Sequence, residues 1–389
     1  MTRLDIRNRC SLRSFMQMFL ALREMRRAKV RFGLLIGAIG LLVFLILFQQ
    51  SLQNSLLRGF TGAIRAQSAP VLVYSTDGQR TLQASVLTPE LEELARSADG
   101  VGEAGLIAQG TFTVTAADEV VEASIIGYET EGLGSPDDLT DGRLPSTAGE
   151  AVASDEDAGA GFDLGDTVVI EPGGAELTVV GLAADAQLNV GPTLFVTYDT
   201  YVDAVAARNP DAGEPLPNAL GVVPDAGTSP EQLVPSINAE SDDLDALTRD
   251  QAADEAPGVA QVRQSFRVIF ALYGLVIPLV TGLFFLIVTV QKAASLTLLR
   301  AIGTSGRRLV SALLVQVLII DGLGLLVGIA LYTPLTMVTA TALGLRFETS
   351  AVAGWSITLL MLGVFSSLLA ARRVLGIDPA SATTVAGLR

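Results

Sequence analysis

The chain has 389 residues, half of them hydrophobic, and a formal net charge of −15 at pH 7. It has no histidine and a single cysteine, Cys10, which excludes Ser-His-Asp triads, His-ligated metals, the usual zinc-site spacings and an intrachain disulfide. No GxxxxGK[ST] phosphate loop occurs, so ATP binding by that route is excluded as well.

The charge is unevenly placed. Residues 49–267 carry 36 acids and 9 basic residues, a net of −27, whereas the rest of the chain carries 5 acids and 17 basic residues, a net of +12. An acidic middle between basic, apolar ends reads as a membrane protein with one solvent-facing domain. Its acidity argues against a nucleic-acid partner.

Residues 1–31 hold nine basic residues, with Leu12, Phe15, Met16, Phe19 and Leu22 at helical spacing. This predicts a cytoplasmic amphipathic helix along the inner membrane surface, with a disordered basic tail as the alternative. Phe32–Phe48 is uncharged and, with residues 49–51, predicts a first span over 32–51. The long basic stretch before it, and the lack of a small-residue cleavage site after it, favour a retained span over a signal peptide.

Residues 52–267 are expected to form an extracytoplasmic α+β domain with helical stalks. Strands are predicted at Val71–Tyr74, Gly110–Val114, Val120–Gly127, Asp166–Glu171, Glu176–Gly181 and Leu194–Tyr198. Helices are predicted at Pro89–Ala98, capped by Thr88, and at Pro230–Ala239, capped by Ser229. The acidic patches Asp155-Glu156-Asp157 and Asp242-Asp243 with Asp245 lack EF-hand spacing and read as solvated surface. Ile170 is the position chosen for a cysteine that should be labelled from outside the cell.

A second span is predicted over 268–290, bent at Pro278, and a third over 309–335. The loop 291–308 between them carries Lys292, Arg300, Arg307 and Arg308 and no acid, which places it in the cytoplasm. The third span holds the intramembrane polar residues Gln316 and Asp321. A carboxylate within a span is costly, so Asp321 is either functional or set at a helix seam or a wet groove. Gly322, Gly324 and Gly328 are expected to allow close helix packing. An outer loop, 336–353, leads to a fourth span over 354–371, with Trp355 as interfacial anchor and Arg372-Arg373 at its inner end. The tail 372–389 then ends inside, so both termini are expected in the cytoplasm.

Four stretches together carry a resemblance. LTLLRAIGTSGRRLV at 296–310 resembles the "LRAIGAS" loop of FtsX-like, MacB-type ABC transporter permeases. RRVLGIDPA at 372–380 resembles their closing "IDP-A" segment, and ALREMRRAKVRFGLL at 21–35 resembles their leading helix. GRLP, GEAVAS, LGDTVVI and LTVVGL, between Gly142 and Leu182, resemble their extracytoplasmic core domain. The layout is similar to the short, DevC-like four-span members. One departure is Gln316, where the family commonly has an acid; Asp321 lies off the usual pattern.

The resemblance implies a fold of four transmembrane helices plus a MacB-like periplasmic core between the first two, in a bacterial plasma membrane. It implies a non-catalytic subunit with no cofactor of its own, ATP being bound by a separate cytoplasmic ABC ATPase. Its expected partners are that ATPase, a second permease subunit, membrane lipids and a membrane-fusion or other extracytoplasmic protein. Leu298, Leu299, Arg300, Ala301, Ile302 and Gly303 would dock on the ATPase, the alternative being an ordinary connection held by lipid headgroups. The implied function is to relay ATP-driven motion outward for export or extraction of a lipid, peptide or other hydrophobic substrate. The alternative is a transducer that activates an extracytoplasmic cell-wall hydrolase, and a third class is a membrane-bound enzyme.

Overall fold

The computed structural model describes residues 29–291, 306–338 and 345–375. It divides into two compact units, one containing the chain up to Leu52 and from Ser265 onward, the other Gln53–Gln264.

The first unit is helical. Helix α1 (Lys29–Ala66) contributes its first residues here, and α6 (Val259–Gln291), α7 (Gly306–Val338) and α8 (Thr349–Leu375) supply the rest. Each contains a stretch long and apolar enough to cross a membrane, and the chain is a multi-pass membrane protein. In α1 the buried residues Phe32, Leu35, Ile39, Val43 and Ile46 recur every three or four positions, so one stripe faces the other helices. They pack with Ile277 of α6, Ile320 and Tyr332 of α7, and Leu359 of α8. Leu272, Leu275, Leu279 and Leu283 of α6 point outward, as do Met361 and Phe365 of α8. Such continuous apolar exposure suits a lipid or protein environment. Trp355 donates from Nε1 to Gln50 Oε1 at 3.2 Å, and its ring lies tilted against Phe270 with centroids 5.0 Å apart.

The second unit is a mixed α/β domain whose ten strands form one sheet system. Its strands are β1 (Val71–Ser75), β2 (Val101–Ala116), β3 (Glu119–Tyr128), β4 (Leu139–Gly142), β5 (Glu150–Ser154), β6 (Thr167–Ile170), β7 (Ala175–Ala183), β8 (Thr193–Thr197), β9 (Ala219–Pro224) and β10 (Leu244–Thr248). The order β2-β3-β8-β5-β7 is closed by β6, which pairs with both β7 and β2, into a six-stranded barrel. Its core alternates along each strand: Phe112 and Val114, Ala123 and Ile125, Val168 and Ile170, Leu177 and Val179, Leu194 and Val196. Tyr201 of α3 (Tyr198–Arg208) joins this core with its ring edge-on to Phe112.

The N-terminal half of β2 leaves the barrel to pair with β9, extending a second sheet, β10-β1-β9-β2. The helices α2 (Pro89–Ser97) and α4 (Pro230–Glu240) belong to the core that covers it, with Val71, Val73, Leu220, Val222, Leu233 and Ile237 buried between. Thr88 caps α2, and Ser229 with Gln232 forms a capping box on α4. A short helix, α5 (Arg249–Asp254), follows β10 and buries Ala252 and Ala253 beside Ala63 and Ile64 of α1.

Two expectations are corrected here. Asp157 is only 6 % exposed and Asp245 is paired with Arg80, at 2.8 Å, so the acidic patches are not wholly solvated surface. Ile170 is fully buried in the barrel, so a labelling cysteine belongs at an exposed position such as Val120.

Candidate functional site

The expected docking residues Leu298, Leu299, Arg300, Ala301, Ile302 and Gly303 lie outside the described residues. The intramembrane residues are described. A Cβ added at Gly328 would lie 2.5 Å from Val43 Cβ and 2.8 Å from Gly40 O; one at Gly324 would lie 2.5 Å from Ile39 Cγ2. Both glycines therefore sit where α7 meets α1, with Gly40 facing them, and any side chain would push the helices apart. Gly322 has open space around it and does not share this contact.

Asp321 lies on the same helix but faces α8. It is 7 % exposed, and a Cβ at Gly363 would overlap its Oδ2. Neither Asp321 Oδ2 nor Gln316 Nε2 has a hydrogen-bond partner among the described residues. Asp321, Thr281 of α6 and Ser356 of α8 line a cavity of about 20 Å³ within the helical unit, room for about one water molecule. Gly324 and Gly328 thus fall on the α1–α7 seam and Asp321 on the α7–α8 seam, while Gly322 lies at neither, so the residues singled out in the sequence do not form one constellation.

A third feature, not anticipated from the sequence, is a clip in the α/β domain that grips the end of α1. The segment 185–193, between β7 and β8, is joined to α1 by backbone hydrogen bonds. Ala63 N–H donates to Gln187 O at 2.9 Å, and Val190 N–H donates to Gly59 O at 2.7 Å. In a regular helix those two α1 groups serve each other, four residues apart. Here each of the two also bonds to an outside segment. Gly59 and Gly62 make this possible, since a Cβ on Gly62 would overlap Asp185 O.

The segment is held in a demanding shape. Asp185, Asn189 and Val190 have φ of 51°, 56° and 60°, and a β-branched residue in that region is strained. Side chains of the β5 end tie it down. Asp157 accepts from Gln187 Nε2 at 2.5 Å and from Thr193 N–H at 3.1 Å. Ser154 Oγ accepts from Ala186 N–H, and Asp155 Oδ1 from Asp185 N–H, both at 3.2 Å. Burial pushes the Asp157 carboxyl up to about 6 against the lowering effect of the Gln187 and Thr193 hydrogen bonds. The glycine pair in RGFTGAIRA was the available sign of a close approach to α1.

Among the described residues no group of three or more His, Cys, Asp or Glu is placed to hold a metal. The described features are packed helix seams and a segment of demanding backbone shape bonded to the end of α1.

The fold and these seams define a multi-pass membrane protein with a large mixed α/β domain after its first apolar helix. No family model matches the chain. It is similar to an uncharacterized ABC transporter permease of Mycobacterium tuberculosis, 26 % identical over 372 residues, covering 94 % of this chain and 99 % of the relative. An uncharacterized ABC transporter permease of Mycobacterium bovis is 24 % identical over 377 residues, with the same coverage. Among solved structures, the periplasmic region of MacB from Actinobacillus actinomycetemcomitans aligns at 14 % identity and a TM-score of 0.35, over 48 % of this chain and 92 % of that one. The extracellular domain of the transporter YknZ from Gram-positive bacteria aligns at 14 % identity and a TM-score of 0.32, over 46 % and 99 %. The similarity to these curated relatives is to uncharacterized ABC transporter permeases.

Proposed function

We propose that the chain is the non-catalytic transmembrane subunit of an ABC transporter. It relays motion from a separate cytoplasmic ATPase to its extracytoplasmic α/β domain, for export or extraction of a lipid, peptide or other hydrophobic substrate. The observation that carries this reading is α1, a single helix from Lys29 to Ala66 whose beginning packs among the apolar helices and whose end is clipped by residues 185–193. The helix α1 contributes residues to both units. Similarity to permeases over 94 % of the chain supports the same reading.

The ATPase docks on Leu298–Gly303, with Arg300 as the polar contact, while Lys292, Arg307 and Arg308 meet lipid headgroups. Both termini are cytoplasmic, as the basic ends suggest. The outward apolar faces of α6 and α8 meet lipid and a second permease subunit. Replacing Leu299 and Ile302 with Asp tests the docking patch. The expected result is loss of ATPase co-purification and of stimulated ATP turnover, with the helical content unchanged. Retention of both would refute the assignment of this loop.

A further inference from the structure

The chain passes between its two units only twice, at 52/53 within α1 and at 264/265 within α6. Whatever joins these two helices at the α/β domain decides whether they can move separately there. Backbone bonds and burial fix α1 to the domain, through the clip and through Ala63 and Ile64. The start of α6 has less to hold it: from Val259 to Gln264 only Val259 is buried.

Charge supplies a second attachment. Asp254, the last residue of α5, takes a guanidinium from each helix on one oxygen. Arg65 Nη2, from the last turn of α1, bonds Asp254 Oδ1, and Arg263 Nη2, from the second turn of α6, bonds the same atom at 2.5 Å. Arg65 also reaches Asp250 Oδ1 at 3.3 Å, so α1 keeps an ion pair without Asp254. Arg263 has no other ion pair among the described residues. Against desolvation, which would raise it, the two guanidiniums hold the Asp254 carboxyl below its ordinary value.

A single exposed ion pair contributes little, and these three side chains are 36–44 % exposed. The geometry sets this one apart, because one carboxylate lies between two cations. With it, both helices are drawn to a common centre. Without it, two guanidiniums face each other at close range, and like charges push apart. The sign of the interaction between α1 and α6 therefore depends on one residue.

We propose that Asp254 is a positioning residue that clasps α1 to α6, so that the two helices shared by both units move as one where they enter the α/β domain. The clasp belongs to the resting chain and needs no ATPase, so its failure leaves the proposed relay and its docking patch standing.

The test uses the full chain in lipid nanodiscs, without ATPase, read by hydrogen exchange at two amides. Gln67 N–H donates to Ala63 O at the end of α1, and Val262 N–H donates to Gly258 O at the start of α6. Asp254→Asn should speed exchange severalfold at both amides together. Adding Arg263→Gln should bring both part of the way back, because the repulsion goes with the second charge. Asp254→Glu, which keeps the carboxylate, should keep most of the protection. Amides of β3 within the barrel should hold their wild-type rate in all three variants. The proposal is overturned if Asp254→Asn leaves either amide unchanged, or if Arg263→Gln adds to the loss instead of offsetting it. It is overturned equally if Asp254→Glu behaves as Asp254→Asn does. Lost protection in β3 would also overturn it, since Asp254 would then serve the stability of the whole domain.

Discussion

Asp157 carries a charge in a place that resists one. Its carboxyl is buried behind the clip and accepts two hydrogen bonds, yet desolvation outweighs them and lifts it to about 6. An unfolded aspartate titrates near 3.9. The folded state therefore binds more protons than the unfolded state between those values, and stability falls as pH rises through that window. Above about pH 6 the penalty is fully present, and below about pH 4 it is gone. Asp157→Asn removes the titration, so the wild-type domain should lose about 2–3 kcal/mol relative to this variant between pH 4 and pH 7. Chemical unfolding of both chains across that range checks it; parallel pH profiles would show that the buried carboxyl does not titrate as described. The DED run does not announce this in the sequence. Asp155 and Asp157 are drawn inward by β5 and by residues 185–193, about thirty positions away, and no local pattern encodes such a contact.

The helices and strands were legible to different degrees. Amphipathic or apolar periods located all four long helices, and the caps Thr88 and Ser229 located two more. Strand β2 read as five residues and is sixteen. Gly102 and Gly105 interrupt its alternation, and Gly105 has no side chain because Leu133 Cβ would lie 3.1 Å from one. Strands β9 and β10 were missed because Leu-Gly-Val-Val and Leu-Asp-Ala-Leu are too short to show a period before tertiary pairing with β1 selects them. At the level of helix packing, α1 and α7 meet through glycine. Gly328→Ala should cost about 1–3 kcal/mol by overpacking against Val43 and Gly40. Gly322→Ala, in open space, should cost nothing. Thermal midpoints of the two variants in the same detergent compare them; a tolerated Gly328→Ala would mean this seam is not close-packed.

For the molecule as a whole, the sequence conveyed the layout better than the connection. Charge asymmetry and four apolar runs gave a membrane protein with one large domain, and relatives along 94 % of the chain agree at the level of ABC transporter permeases. The clip was hidden because it is made of backbone groups, Ala63 N–H to Gln187 O and Val190 N–H to Gly59 O, which any residue supplies. Only Gly59 and Gly62 mark the place where a segment can approach so closely. On the proposed relay, force delivered to α1 enters the α/β domain at this clip. Hydrogen exchange of the Ala63 and Val190 amides tests it most directly, in the complex with the partner ATPase, with and without ATP. ATP should raise exchange at both amides severalfold, and Gly62→Ala, whose added methyl collides with Asp185 O, should raise it without nucleotide. Exchange at these amides that ignores nucleotide while the ATPase turns over would contradict it.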